Sequence, residues 1–177
     1  MNMKGLMLAC MVLLLTAVSA QAAPEFAVSI NGAIQGKFKG EMPNKGFEDK
    51  FAGLGFEYEV VTPRDLATGQ MKTKRQYQPI QIKKAWGSAS LQLYAALIKN
   101  ESLTVTMDFF SPDPKGMLIL DHTIKLGSAA VASFKSQTDT IGNPTVPQID
   151  MIEFVFQQIE ITDHRGKGVV SDSLLAP

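Results

Sequence analysis

Cysteine occurs once in the 177 residues, as Cys10. A disulfide within one chain is therefore excluded, and so is any zinc site built from paired cysteines. Histidine occurs twice, as His122 and His164, each after an aspartate, so a metal site would need carboxylates to complete it. Neither sign of charge is in excess: Lys plus Arg and Asp plus Glu both total 17. That balance does not favour a nucleic-acid polyanion as partner, and it removes one barrier to self-association. There is no G-x-S-x-G elbow, no Walker loop and no G-x-G-x-x-G, and the "GLG" at Gly53 to Gly55 opens a strand, not a helix. No catalytic residue, metal ligand or cofactor is assigned.

What is present is 45% hydrophobic residues and 19% charged, enough for one compact domain with a core. The first residues read as a leader. Lys4 begins it, "GLMLACMVLLLTAV" is its apolar centre, and Ala20 and Ala22 are the small residues that signal peptidase requires. The apolar run is shorter than the roughly 20 residues of a spanning helix. Residues 1–22 are read as a signal peptide and 23–177 as a single domain, with no membrane contact after cleavage. Ala9 before Cys10 resembles a lipidation site, but the apolar run continues past the cysteine. Loss of the leader leaves a mature chain without cysteine, held by packing or assembly.

Beyond the leader the hydrophobic period is mostly two. "FAVSI" sets Phe26, Val28 and Ile30 on one face, and "GFEYEV" sets Phe56, Tyr58 and Val60 opposite Glu57 and Glu59. "LTVTMDF" turns Leu103, Val105, Met107 and Phe109 inward. The prolines and glycine of "SPDPKG" reverse the chain into "MLILDHTIKL", where Leu118, Leu120, His122, Ile124 and Leu126 share a side. A short continuation, "AAVASF", precedes a loop at Gly142, Pro144 and Pro147 and a last long strand, "DMIEFVFQQIEIT". Too few residues follow that strand for a further catalytic domain.

One stretch departs from this period. In "SASLQLYAALIKN" the apolar Leu91, Tyr94, Ala95 and Ile98 recur at helical spacing, with Ser88 to cap the start and Asn100 to end it. A single helix among long strands predicts a mainly β fold: an antiparallel β-barrel with one flanking α-helix. Asp121 and His122 are expected to point to opposite faces of their strand, with His122 a hydrogen-bonded core residue. Trp86 reads as core. His164 precedes "RGKG", a solvated turn.

Between two of the strands, "TPRDLATGQMKTKRQYQP" runs from Thr62 to Pro79 and reads as neither helix nor strand. It is longer than most ordered connections. Its basic residues Arg64, Lys72, Lys74 and Arg75 suit either a solvated surface loop or an arm that a neighbouring subunit orders.

The stretch "GFEYEVVTPRDLATGQMKTKRQYQPIQIKKAWGSASLQLYAALIKNESL", with "TVTMDFFSPDPKG", "HTIKL" and "IEFVFQQIEIT" after it, resembles the haemolysin-coregulated protein (Hcp) family of type VI secretion tube proteins. The resemblance covers roughly Phe26 to Asp163. It implies a β-barrel of the Hcp type with a flanking helix and a long extended loop. It further implies a homohexameric ring with a central channel, rings that stack into a tube, and effector or other secretion-system proteins as partners. Carried over by position, Pro63, Arg64, Asp65, Thr68, Gly69, Gln70, Lys72, Lys74, Arg75 and Tyr77 are the subunit contacts of the extended loop.

Two features depart from the family. Its tube proteins leave the cytoplasm through the secretion machine and have no use for a cleavable leader, whereas residues 1–22 direct export to the periplasm or beyond the cell. The second is the insert "GKFKGEMPNKGFEDKFAG", which lengthens the link between the first strands. Two readings stay open: a ring-forming structural subunit, cytoplasmic before secretion if the leader is not functional, and an exported binding module that acts as a monomer.

Overall fold

A computed structural model describes residues 26–43, 45–138 and 148–174. The leader and its cleavage site lie outside them, as does the loop expected at Gly142, Pro144 and Pro147. The elements are β1 (Phe26–Gly32), β2 (Gly36–Lys37), β3 (Phe51–Gly53), β4 (Gly55–Glu57), β5 (Val60–Val61), β6 (Gln76–Tyr77), β7 (Ile80–Ala85), α1 (Ser88–Lys99), β8 (Leu103–Pro112), β9 (Leu118–Gln137), β10 (Ile149–Val155), β11 (Gln158–Asp163) and β12 (Gly168–Ser173).

Ten strands form one antiparallel sheet in the order β2-β1-β8-β9-β10-β7-β4, with β3 added on β1 and the β11–β12 hairpin added on β9. At 20 residues, β9 is long enough to serve two neighbours in turn: its first half pairs β11 and its second half pairs β10. The barrel closes at one residue. β3 pairs with β1 and β4 with β7, at opposite ends of the strand order, and only Leu54 separates them. Leu54 anchors the corner by donating its N–H to the Lys83 carbonyl at 2.8 Å. Gly53 is required there because a β-carbon would lie 2.0 Å from the Phe26 ring.

The alternation read in "FAVSI" and "LTVTMDF" is observed. Phe26, Val28, Ile30, Leu103, Val105 and Met107 are buried and meet Ile82, Ile152 and Phe154 in one core. Other boundaries differ from expectation. "GFEYEV" is divided between β4 and β5, because the chain leaves the barrel at Tyr58 to enter the arm. "AAVASF" is not a separate continuation but the second half of β9, and "DMIEFVFQQIEIT" breaks at Phe156 into β10 and β11. β12 was not expected at all.

The helix exists where predicted, but it faces the other way. Ala89, Ser90, Leu93 and Ala96 are buried, while Leu91, Tyr94 and Ile98 are 64%, 51% and 68% exposed. Small residues on the inner face let α1 lie close against the barrel, and a buried polar cluster fixes that face. Lys84 Nζ donates to Ser90 Oγ at 3.0 Å and to the Ala85 carbonyl at 2.6 Å, while Ser90 Oγ donates to Asp150 Oδ2 at 2.5 Å. Ser136 Oγ donates to the other Asp150 oxygen at 2.5 Å. Burial pushes the Lys84 amine below its ordinary value, against the pull of Glu41 and Asp150. Asn100 ends the helix in the left-handed conformation, at φ 48°. At the start the cap residue is Gly87, not Ser88, and Glu41 accepts the Ala89 N–H at 2.7 Å. A carboxylate at this end suits the helix dipole. Trp86, expected in the core, is 47% exposed.

Glu41 belongs to the insert, which folds back on the barrel. Phe38, Met42 and Phe51 are buried, and Lys50 Nζ reaches Asp108 on β8 at 2.8 Å.

Candidate functional site

The arm is an ordered hairpin. β5 and β6 pair at its base, through Val60 with Tyr77 and Val61 with Gln76, and Arg64 bridges to Met71 further out. Its tip is built by Asp65. One carboxylate oxygen accepts the N–H groups of Ala67 and Thr68, both at 3.0 Å, and the Thr68 hydroxyl at 3.2 Å. Gly69, at φ +69°, completes the turn and donates its N–H to the Asp65 carbonyl at 2.8 Å. Arg64 Nη1 donates to the Gly69 carbonyl at 3.1 Å, and Lys72 Nζ lies 3.4 Å from Asp65 Oδ2. Pro63 and Gln70 extend the ribbon: the Pro63 carbonyl accepts the Lys72 N–H at 2.9 Å, and the Gln70 carbonyl accepts the Asp65 N–H at 2.8 Å. Asp65 is held below the usual carboxylate range chiefly by the Thr68 and Ala67 N–H groups. The same tip leaves Leu66 fully exposed and Met71 exposed.

The base of the arm rests on its own chain. The Arg75 guanidinium makes a two-pronged contact with the Asp172 carboxylate of β12, and Tyr77 Oη donates to Asp172 Oδ2 at 2.5 Å. The Tyr77 ring packs edge-on against Phe156 at 5.5 Å between centroids and lies beside Tyr58 at 6.3 Å. Of the residues assigned to the arm, Arg64, Asp65, Thr68, Gly69, Gln70 and Lys72 thus build its outer part, and Arg75 and Tyr77 fasten its base. Lys74 is exposed.

A second surface was not singled out in the sequence. Strand register lines up Ser29, Thr106, Lys125, Glu160 and Ser171 in one row across β1, β8, β9, β11 and β12, on the face away from the core. Neighbouring rows add Asp108, Thr123 and Thr162, and Gln158 and Ser173. Thr123 Oγ1 donates to Asp108 Oδ1 at 2.9 Å. Apart from Ala27 and the exposed Val169 the face is polar over five strands, and towards β12 it forms a concavity of about 490 Å³ whose lining includes Lys125, Gln158, Ile159, Glu160, Ser171 and Asp172. Alternation carries the signal in β1, β8 and β11, which have an apolar inner set and a polar outer set, but not in β12, whose Val169 and Val170 are both exposed.

The histidines depart from one expectation. Asp121 and His122 do meet, with His122 Nδ1 and Asp121 Oδ2 3.0 Å apart. The register explains it: Phe109 pairs with His122 and Phe110 with Leu120, so Asp121 is an extra residue in a β-bulge, which upsets strict alternation. His122 is half-buried and stacks on Phe109 at 4.4 Å, while Asp121 also engages Arg165 Nε at 2.5 Å. Among the described residues no group of three His, Cys, Asp or Glu is placed to hold a metal ion.

Residues 28–162 match the family described as type VI secretion system effector, Hcp. The chain belongs to the Hcp family. It is 28% identical over 150 residues to the "Major exported protein" of Pseudomonas aeruginosa, covering 82% of this chain and 87% of that one. A crystal structure of an Hcp protein superposes with a TM-score of 0.80 at 20% identity, over 88% of this chain and all of the other. The secreted protein Hcp3 of Pseudomonas aeruginosa gives 0.68 at 25% identity, over 84% and 98%. The antiparallel β-barrel with one flanking helix is therefore the Hcp fold. The Hcp match includes the whole arm and ends before β12, so Asp172 lies beyond it.

Proposed function

We propose that this chain is a structural subunit that assembles with copies of itself into a ring, and that its arm makes the contact between subunits. The observation that carries this reading is the arm itself. An ordered hairpin with a fully exposed leucine at its tip has no role in the barrel's own core. In this reading the exposed Leu66 and Lys74 and the tip formed by Arg64 and Lys72 reach the neighbouring subunit, with Pro63, Asp65, Thr68, Gly69 and Gln70 holding the hairpin in shape and Arg75 and Tyr77 setting its base. Membership of the Hcp family supports a tube-type ring.

In this reading the polar five-stranded face lines the ring's channel. A channel that holds and then releases effector cargo needs hydroxyls and amides rather than a large apolar patch, and the row from Ser29 to Ser171 supplies them. No chemistry is assigned to the chain, which acts by binding and assembly. Residues 1–22 serve as an export signal, so the mature protein works in the periplasm or outside the cell. Two similar proteins, the major exported protein and the secreted Hcp3 of Pseudomonas aeruginosa, are themselves found outside the cytoplasm by name, which accords with an extracytoplasmic location.

The test is sedimentation of the mature chain beside a double variant, Leu66→Glu and Lys74→Glu, at two exposed positions of the arm. The reading predicts a larger species for the unaltered chain and a shift to monomer in the variant, with the barrel's melting unchanged. Equal assembly of both would remove the arm from the interface.

A further inference from the structure

The arm is not fastened where a flexible connection would be. Its base is held by β12, the last strand of the barrel, at a single carboxylate that receives both Arg75 and Tyr77. Arg75 and Asp172 are 97 residues apart in sequence, so the contact depends on the folded barrel. β12 is itself an edge strand, paired only with β11 and tied at its end by the Leu174 N–H on the Gln157 carbonyl at 2.8 Å.

We propose that Asp172 is the positioning residue of the arm: by holding Arg75 and Tyr77 on its own chain it fixes the arm's direction in the free subunit, before any neighbour is met. A long surface hairpin without such a clasp samples many directions, and association must then order it at an entropic cost. A clasped arm has already lost that freedom during folding. The two-pronged guanidinium contact is directional, and the Tyr77 ring, wedged between Phe156 and Tyr58, stops the ribbon from twisting about its base. The inference rests on the assembly reading for its purpose, but the clasp itself is a property of one chain.

The two are therefore separated by two measurements. In the first, the free subunit is held at a concentration where it is monomeric, and tryptic cleavage after Lys72 and Lys74 is followed by mass spectrometry. Asp172→Ala is expected to raise the cleavage rate about tenfold or more, because charge-assisted hydrogen bonds no longer oppose opening of the base. Tyr77→Phe gives a smaller rise. Exchanging the pair, Arg75→Asp with Asp172→Arg, restores protection at Lys72 relative to Arg75→Asp alone, which carries the same acidic residue after Lys74, an outcome that general loosening of the barrel does not produce. An Asp172→Ala arm cut no faster than the unaltered one overturns the clasp. Should Asp172→Ala fail to fold, Tyr77→Phe and the exchanged pair decide the matter alone.

The second measurement is the association constant of the same variants. A loosened arm with weakened association supports the positioning role, and a loosened arm with unchanged association overturns it. If the unaltered chain does not associate at all, the ring reading fails while the cleavage result still decides the clasp.

Discussion

The Tyr77 hydroxyl and the Asp172 carboxylate, 95 residues apart in sequence, meet at 2.5 Å and join the arm to the last strand of the barrel. The Arg75 guanidinium and then the Tyr77 hydroxyl hold the Asp172 carboxyl down at about 2. Burial and the Asp172 charge push the Tyr77 hydroxyl up to about 12.

A pH dependence follows from that pair. The folded value of Asp172 lies below the ordinary carboxylate value of roughly 4, so its charge adds stability above about pH 4 and that share is lost as pH falls towards about 2. The melting temperatures of the unaltered chain and Asp172→Asn are expected to differ by a constant gap near neutrality. The gap closes between about pH 4 and about pH 2. A gap that persists at the acid end would mean that Asp172 stabilises through shape and not charge.

The two helix faces make a second prediction. Leu93→Ala removes a fully buried side chain and is expected to cost about 2–5 kcal/mol in urea denaturation. Leu91→Ala, on the exposed face, is expected to change the monomer's stability by under about 0.5 kcal/mol. The reverse ranking would show that α1 packs with the face the sequence first suggested.

The buried cluster beneath the helix gives a third. Lys84→Met leaves Asp150 without its nearby positive charge while Ser90 and Ser136 still donate to it. The substitution also removes the 3.4 Å ion pair of Lys84 with Glu41, and a loss of about 1–3 kcal/mol is expected, the usual result of leaving buried hydrogen-bonding groups without a partner. Equilibrium unfolding measures it, and the double variant Lys84→Met with Asp150→Asn recovers part of the loss.

The barrel corner gives a fourth. Gly53→Ala forces a β-carbon onto the Phe26 ring, and overpacking of this kind costs about 1–3 kcal/mol. Gly46→Ala is no control for sterics alone, since its φ of +90° adds strain. Gly168→Ala, where nothing lies within 4 Å, is the neutral comparison.

What was legible in the sequence follows from which interactions are local. Phe26, Val28 and Ile30 point into the core and alternate with the smaller Ala27 and Ser29, and period two records that directly although Ala27 is buried as well. The helix was equally legible, but not its orientation. The stripe of Leu91, Tyr94 and Ile98 is the exposed one, while the inner face alternates the small Ala89, Ser90 and Ala96 with Leu93, so both faces carry apolar residues and period alone does not say which is buried. "GVVSDS" gave no strand signal because β12 is a short edge strand whose Val169 and Val170 are both exposed. With β12 unseen, Asp172 has no visible partner, and the sequence leaves Arg75 either solvated or facing a neighbouring subunit. The Asp121 bulge had no local mark either, since it arises from the pairing of β8 with β9. The arm was recognised by length and charge, whereas its hairpin form depends on Asp65 and Gly69 closing the tip.

The most direct test is the native mass of residues 23–177 by light scattering across a range of concentrations. A mass of six subunits is the predicted result. A chain that stays monomeric at every concentration contradicts the ring and makes the protein an exported binding module with an Hcp barrel.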